Sequence, residues 1–150
     1  MDPCKVQDFE LKESDLETYL GVQFSGKGVK DSVNESIKLR IRKTRVKMIQ
    51  LMKALEDELV EKQGWLEAVK VLFNSIIVPT LTYGCQAFAN MTNKQESELE
   101  MCMKDVLYKM LGISKYSHYA SVLMECNMIR LKHIMNKLKI GFLNDLIHRK

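Results

Sequence analysis

Proline and glycine are scarce in this sequence, and their scarcity favours helices. Among 150 residues there are two prolines and seven glycines, whereas methionine occurs ten times. Proline and glycine are the residues that most disfavour helix interiors, and methionine fills irregular helical cores. With 46% apolar and 28% charged residues, the composition is that of an ordinary globular protein. We expect one domain, or one domain with a small appendage.

Paired cysteines and cysteine–histidine motifs are absent. Cys4, Cys85, Cys102 and Cys126 form no CxxC motif, and none has a histidine at the spacing of a zinc site. We therefore expect free thiols in a reducing compartment. The histidines are isolated as well, so the sequence indicates no metal, no other cofactor and no Cys–His nucleophile pair.

Long apolar segments are also missing. No run of 18 apolar residues occurs, and the first twenty residues are mostly polar. This pattern predicts neither a membrane span nor a signal peptide. The expected location is intracellular, in the cytoplasm or the nucleus.

The N-terminal part favours β structure. Residues 9–25 predict a short hairpin, with Glu13-Ser14-Asp15 as a polar turn and residues 19–24 as a run of strand formers. Within that run, Gly21 indicates a bulge or a close backbone approach.

Helical patterns occupy the rest of the chain. Ser32-Val33-Asn34-Glu35 reads as a capping box that opens a long helix to about residue 59. The inward positions of that helix are predicted to be Val33, Ile37, Ile41, Ile49, Met52, Leu55 and Leu59.

A second helix, residues 65–78, is apolar around most of its circumference and should lie centrally in the core. Pro79 should end or kink it, and Gly84 is then free to adopt a positive φ or to let another helix approach.

Three further helices are indicated after residue 90. Thr92 to Gln95 forms a second capping box, and Gly112 should end the helix that it opens. A short helix at residues 118–125 and a last one at residues 129–148 follow. The inward positions of the last helix are predicted to be Leu131, Ile134, Met135, Leu138, Phe142 and Leu146.

Charge is locally polarised rather than uniform. The net charge is only +4, but residues 38–53 contain basic residues and no acidic ones. Arg40, Lys43 and Lys47 follow one another in successive turns, which predicts a basic face on the first long helix. Such a face is either simply solvated or a contact surface for a polyanion.

The segment LFNSIIVPTLTYGCQAF resembles a signature of the reverse transcriptases of non-LTR (LINE-type) retrotransposons. In that family the palm ends in a hairpin with a Tyr-Leu-Gly step. A helical thumb follows, and its central helix runs into an apolar-Pro-x-Leu-x-Tyr-Gly stretch. The matching residues are Tyr19, Leu20 and Gly21 in the hairpin, and Pro79, Leu81, Tyr83 and Gly84 in the thumb.

The order of further steps extends the resemblance over nearly the whole chain, from about residue 16 to residue 147. Residues 107–112 match a helix that ends in Leu-Gly, and Leu123 to Glu125 matches a Leu-x-x-Glu step with the glutamate one residue early. The tryptophan that the family usually carries after Tyr-Gly is absent, and Phe88 stands in that neighbourhood.

The resemblance implies a mainly α fold, with a short N-terminal β-hairpin followed by a reverse-transcriptase thumb-like helical bundle. Residues 1–28 would be the palm-end hairpin, with Tyr19, Leu20 and Gly21 near the primer end. Residues 29–150 would be the thumb-like domain that grips an RNA–DNA or other template–primer duplex. The residues expected at its phosphates are Arg40, Arg42, Lys43 and Lys47.

Catalysis is not expected of this chain alone. Polymerases of this family hold two metal ions on an adjacent Asp-Asp pair, and no Asp-Asp occurs in the sequence. The chain would be an inactive fragment that lacks the palm and fingers of an RNA-directed DNA polymerase. The alternative reading is a helical protein-interaction module, or a remnant without function.

Overall fold

The computed structural model describes residues 5–6, 9–10, 15–19, 22–57, 62–87 and 91–148. Four short strands precede the helices: β1 (Lys5–Val6), β2 (Phe9–Glu10), β3 (Leu16–Tyr19) and β4 (Val22–Ser25). The helices are α1 (Val29–Asp57), α2 (Lys62–Leu72), α3 (Val78–Thr82), α4 (Asn93–Leu111), α5 (Tyr119–Glu125) and α6 (Leu131–His148). The predicted class, mainly α with a short N-terminal hairpin, is therefore confirmed.

The hairpin exists, but its strands differ from the prediction. β3 and β4 pair antiparallel, from Leu16 opposite Ser25 to Tyr19 opposite Val22. The run 19–24, predicted as one strand, is therefore divided, since Tyr19 ends β3 and Val22 begins β4. That connection, Leu20 and Gly21, lies outside the described residues, as do Glu13 and Ser14 of the predicted turn.

Two serines of α1 hold the outer edge of β4. The Gln23 amide donates to Ser36 Oγ over 3.0 Å, and that hydroxyl donates back to the Gln23 carbonyl over 3.3 Å. The Ser25 amide donates to Ser32 Oγ over 2.8 Å, and Ser32 Oγ donates to the Gly28 carbonyl. The predicted capping box at Ser32 is wrong, because α1 begins at Val29 and the Ser32 hydroxyl serves the strand.

The chain divides into two compact units, Met1–Ser36 and Ile37–Lys150. The first contains the strands and the start of α1, and the second contains the remaining helices. The division falls within α1, whereas the sequence places a domain boundary between residues 28 and 29.

The second predicted helix does not end at Pro79. One π-helical turn, Phe73–Ile77, joins α2 to α3, and the helix continues through Pro79 to Thr82. The Val78 amide bonds to the Phe73 carbonyl five residues earlier, so the turn before the proline is wider than an α-turn. A wider turn relieves the clash between a proline ring and the carbonyl of the preceding turn. Gly84 then has a φ of 64°, as predicted.

Both ends of α4 form as predicted. The Gln95 amide donates to Thr92 Oγ1 over 3.3 Å, and the Thr92 amide donates to Gln95 Oε1 over 2.8 Å. At the other end Gly112 adopts the left-handed conformation, with φ 67°, and its amide bonds to the carbonyls of Tyr108 and Lys109.

The core of the second unit is made by helix faces of α2 to α6. The helix α6 contacts α3, α4 and the 3-10 turn Cys85–Ala87, and α4 contacts α2 and α3. The largest fully buried side chains of these elements are Val69, Phe73, Ile77, Leu81, Leu99, Met103, Val106, Leu107, Met110, Leu131 and Met135.

The inward face predicted for α6 holds only in its first half. Leu131 and Met135 are buried, whereas Leu138, Phe142 and Leu146 are exposed. Period alone does not reveal where the neighbouring helices stop covering a long helix.

The helix from Gly64 to Thr82 is long and apolar enough to cross a membrane by length and composition alone. A core helix of a soluble protein meets the same criterion. Phe73, Ile77 and Leu81 of this helix are fully buried against protein.

Gly112, at the end of α4, and Gly141, inside α6, form a matched pair for testing the backbone conformation of glycines. Gly112→Ala places a side chain in the left-handed region, so the free energy of unfolding should fall by about 1 kcal/mol. Gly141→Ala lies within α6, where an added Cβ meets nothing within 4 Å, so the free energy should rise by about 0.5–1 kcal/mol. Urea denaturation of both variants checks this, and an equal loss in both would contradict the assigned backbone.

Candidate nucleic-acid interface

One side of α1 is buried within the second unit. Its buried residues are Ile37, Arg40, Thr44, Met48 and Leu55, at spacings of three, four, four and seven. This spacing keeps them on one helical face. Arg40 is 5% exposed, so the expectation that it lies on an exposed basic face is wrong.

The predicted inward face of α1 is confirmed at Val33, Ile37 and Leu55 but fails in the middle of the helix. Ile49 was expected inside and is 62% exposed, and Ile41 is only half-buried. The structure instead uses Arg40 and Thr44 as core positions. An arginine can bury its aliphatic stem, and a threonine its methyl group, so residue type alone did not reveal them.

Arg40 carries a charge into this buried layer. Burial lowers the pKa of its guanidinium to about 10, and the neighbouring Cys85 thiol has a smaller, opposite influence on that pKa. The Cys85 pKa is raised by burial in turn, and Arg40 and Lys139 oppose that rise. At neutral pH Arg40 therefore remains a cation and Cys85 a neutral thiol.

Between residues 42 and 53, five basic residues of α1 are exposed, and we call them the basic face: Arg42, Lys43, Arg45, Lys47 and Lys53. Arg42 and Lys53 lie opposite the buried residues, whereas Arg45 and Lys47 flank the buried side. The segment that carries them contains no acidic residue. Within the described residues no ion pair involves any of the five. Arg42, Lys43 and Lys47 were predicted as site residues, whereas Arg45 and Lys53 emerge only once the helix phase is known.

The basic face has the dimensions of a backbone contact. Arg42 and Lys53 are eleven residues apart, which spans about 16 Å of helix, or roughly five phosphates of one nucleic-acid strand. The exposed apolar residues beside the basic face, Val46 and Ile49, are aliphatic, and no aromatic residue lies between residues 38 and 57. The face therefore offers charge to phosphates and no platform for stacking bases.

The hairpin places an exposed aromatic pair on one side of its two strands. Tyr19 lies opposite Val22 and Phe24 opposite Glu17, so Tyr19 and Phe24 share a face. Tyr19 is 67% exposed and Phe24 is 51% exposed. The other two predicted hairpin site residues, Leu20 and Gly21, lie outside the described residues. The hairpin belongs to the first unit and the basic face to the second.

A polar cluster joins α4, α5 and α6. Tyr119 Oη donates to Glu100 Oε1 over 2.9 Å, and the Lys132 amide donates to Glu100 Oε2 over 3.4 Å. Burial, and then Glu100, raise the pKa of Tyr119 far above its ordinary value. Lys132 Nζ also lies 3.2 Å from Glu96 Oε2. These contacts fix helices to one another, and the Tyr119 hydroxyl remains protonated.

Groups with the geometry of a metal site do not occur in the described part of the chain, where no three His, Cys, Asp or Glu side chains converge. Cys85, Cys102 and Cys126 are buried free thiols, and Cys4 lies outside the described residues. Burial raises the pKa of all three thiols, which lowers their reactivity as nucleophiles.

Arg40 and Arg42 test the assigned phase of α1. Arg40→Ala removes a packed stem and should lower the free energy of unfolding by about 2 kcal/mol. Arg42→Ala changes an exposed side chain and should alter it by less than about 0.5 kcal/mol. Urea denaturation measures both, and a larger loss for Arg42→Ala than for Arg40→Ala would refute the phase.

Comparison with known proteins identifies no family for this chain. No protein-family model matches the chain, and no curated protein or solved structure is significantly similar to it.

Proposed function

We propose that this chain is the thumb-like C-terminal part of a non-LTR retrotransposon reverse transcriptase and binds the phosphate backbone of a template–primer duplex. The observation that supports the proposal most is the basic face of α1. Five cationic side chains are exposed within about three turns of that helix, outside its buried face, and no acidic residue lies among them.

The basic face suits binding that does not depend on sequence. Lysine and arginine side chains that meet phosphates release condensed counterions, so affinity falls steeply as salt rises. Because the face has no aromatic residue, discrimination between bases is expected to be weak. An RNA–DNA hybrid is the first duplex to test, since it is the template–primer that the resemblance implies.

The hairpin would contribute separately. Tyr19 and Phe24 expose aromatic rings on one face of β3 and β4. In the proposed role, Tyr19 together with Leu20 and Gly21 would lie near the primer end. The exposed side of the two strands would adjoin the palm of the polymerase.

Polymerisation would require partners that this chain does not contain. The palm and fingers would supply the Asp-Asp pair and its two metal ions. The chain would work in the cytoplasm or the nucleus, where its nucleic-acid partner is found.

Neutralising the basic face should reduce the salt dependence of duplex binding. The triple variant Arg42→Gln, Lys43→Gln and Lys47→Gln removes three cations and leaves the buried side of α1 intact. The slope of log K against log salt is negative, and its magnitude should decrease by about 2.7, that is, by about 0.9 for each lost phosphate contact. Fluorescence anisotropy with a 20-base-pair RNA–DNA hybrid, between 50 and 300 mM NaCl, measures the slope.

A triple variant with the same change in net charge serves as its control. Lys94→Gln, Lys109→Gln and Lys115→Gln alter exposed lysines on or after α4. If net charge alone drives binding, the two triple variants will have equal slopes. That result, or a slope near zero in the parent chain, would contradict the proposal.

A second candidate function is a helical protein-interaction module. The second half of α6 favours it, because six large apolar side chains are exposed there: Leu138, Ile140, Phe142, Leu143, Leu146 and Ile147. Contiguous exposed apolar surface is typical of a protein contact.

The mass of the chain in solution tests the second candidate function, the protein-interaction module. An exposed apolar α6 should make the chain self-associate as concentration rises, and Phe142→Lys should shift the equilibrium toward monomer. Size-exclusion chromatography with light scattering measures this. A parent chain that stays monomeric at high concentration would count against the second candidate.

A further inference from the structure

A groove of about 410 Å³ lies in the second unit, away from α1. Its walls come from the start of α2, the end of α4 and the helix α5. Trp65, Leu111, Ile113 and Val122 supply apolar surface. This volume lies within the range of pockets that hold small organic molecules.

Trp65 is a fixed wall of the groove. Its indole Nε1–H donates to the Met110 carbonyl over 3.0 Å, across 45 residues of sequence. Because that bond orients the indole, the ring is preorganised rather than free to rotate. The helix of residues 65–78 was expected to lie centrally in the core, and the structure leaves its first residue, Trp65, half-buried at the groove.

Three polar side chains enter the same groove from α5 and its N-terminal cap. His118 Nδ1 lies 3.2 Å from Ser121 Oγ, so these two side chains orient each other. Glu125 lies four residues after Ser121 and therefore on the same face of the helix. Among the residues that the structure describes, Glu125 is the one acidic group in this lining, and no lysine or arginine belongs to it.

Among the described residues, two glutamates and one lysine lie near the groove. The charges that act on the Cys126 thiol in the lining are Lys70, Glu125 and Glu67. Lys70 Nζ lies 2.8 Å from Glu67 Oε1, so these two charges largely offset each other. Glu125 is left as the unbalanced charge beside an aromatic wall, in a chain whose net charge is +4.

We propose that this groove binds a small organic cation: an amine with an apolar or aromatic body. The body would lie against Trp65, Leu111 and Val122, and the ammonium group would meet the Glu125 carboxylate at the rim. An anionic ligand is disfavoured by Glu125, and a neutral one gains only the apolar contact. The apolar contact with Trp65 and the ion pair with Glu125 would act on two different ends of the same ligand.

The test compares an amine with its neutral analogue. The probes are 2-(2-naphthyl)ethylamine and 2-(2-naphthyl)ethanol, titrated into the full ¹⁵N-labelled chain. Trp65 is the single tryptophan, so its indole resonance reports on the groove without overlap. The amine should bind about three- to tenfold more tightly than the alcohol.

Three variants test whether Glu125 causes the preference for the amine and whether both probes occupy the groove. Glu125→Gln should abolish the preference for the amine and leave the affinity for the alcohol unchanged. Glu98→Gln, an exposed glutamate on α4 outside the lining, is the matched control and should retain the preference. Val122→Phe fills the groove and should weaken both probes.

Three outcomes would overturn the proposal: equal affinity of the amine and the alcohol, an unchanged preference in Glu125→Gln, or shifts that map outside α2, α5 and the end of α4. If Val122→Phe does not fold, the comparison of Glu125→Gln with Glu98→Gln still decides. None of these outcomes depends on duplex binding by α1.

Discussion

The rotational phase of α1 is the constraint on which the candidate interface depends. Burial of Ile37, Thr44 and Met48 on one side leaves the opposite side in water. The remaining circumference then carries five exposed cations on about three turns of helix, two opposite the buried face and the others toward its flanks. Arg40 shows how strongly packing sets this phase, since its guanidinium is taken from water despite the desolvation that lowers its pKa to about 10. A rotation by one residue would bury part of the basic face instead.

The central helix shows how a proline can be accommodated in a helix that continues past it. Pro79 lacks an amide and would clash within a regular α-helix. The preceding π-turn widens the helix by one residue, and the hydroxyls of Thr80 and Thr82 donate to the carbonyls of Ile76 and Val78. The chain therefore continues as one helix to Thr82. Continuity lets Phe73, Ile77 and Leu81 fill the core from both sides of the proline.

Local patterns predicted those elements whose partners are local. The capping box at Thr92 and the left-handed Gly112 depend only on the helix they bound, and both were predictable. The same Ser-x-x-Glu pattern at Ser32 failed, because its hydroxyl accepts from the Ser25 amide of the adjacent strand β4 instead of capping a helix. The prediction that Arg40 is exposed failed for a similar reason, because its burial depends on the helices around α1 rather than on its residue type. The groove beside Trp65 is lined by three separate segments, and no residue spacing in the sequence predicts that they meet.

Lysine footprinting of the chain with and without an RNA–DNA duplex tests the central claim most directly. Acetylation followed by mass spectrometry reports the reactivity of each lysine. The account predicts that duplex protects Lys43, Lys47 and Lys53 and leaves Lys94, Lys109 and Lys115 as reactive as before. Uniform protection of all six, or protection confined to the second group, would contradict a duplex contact on the basic face of α1.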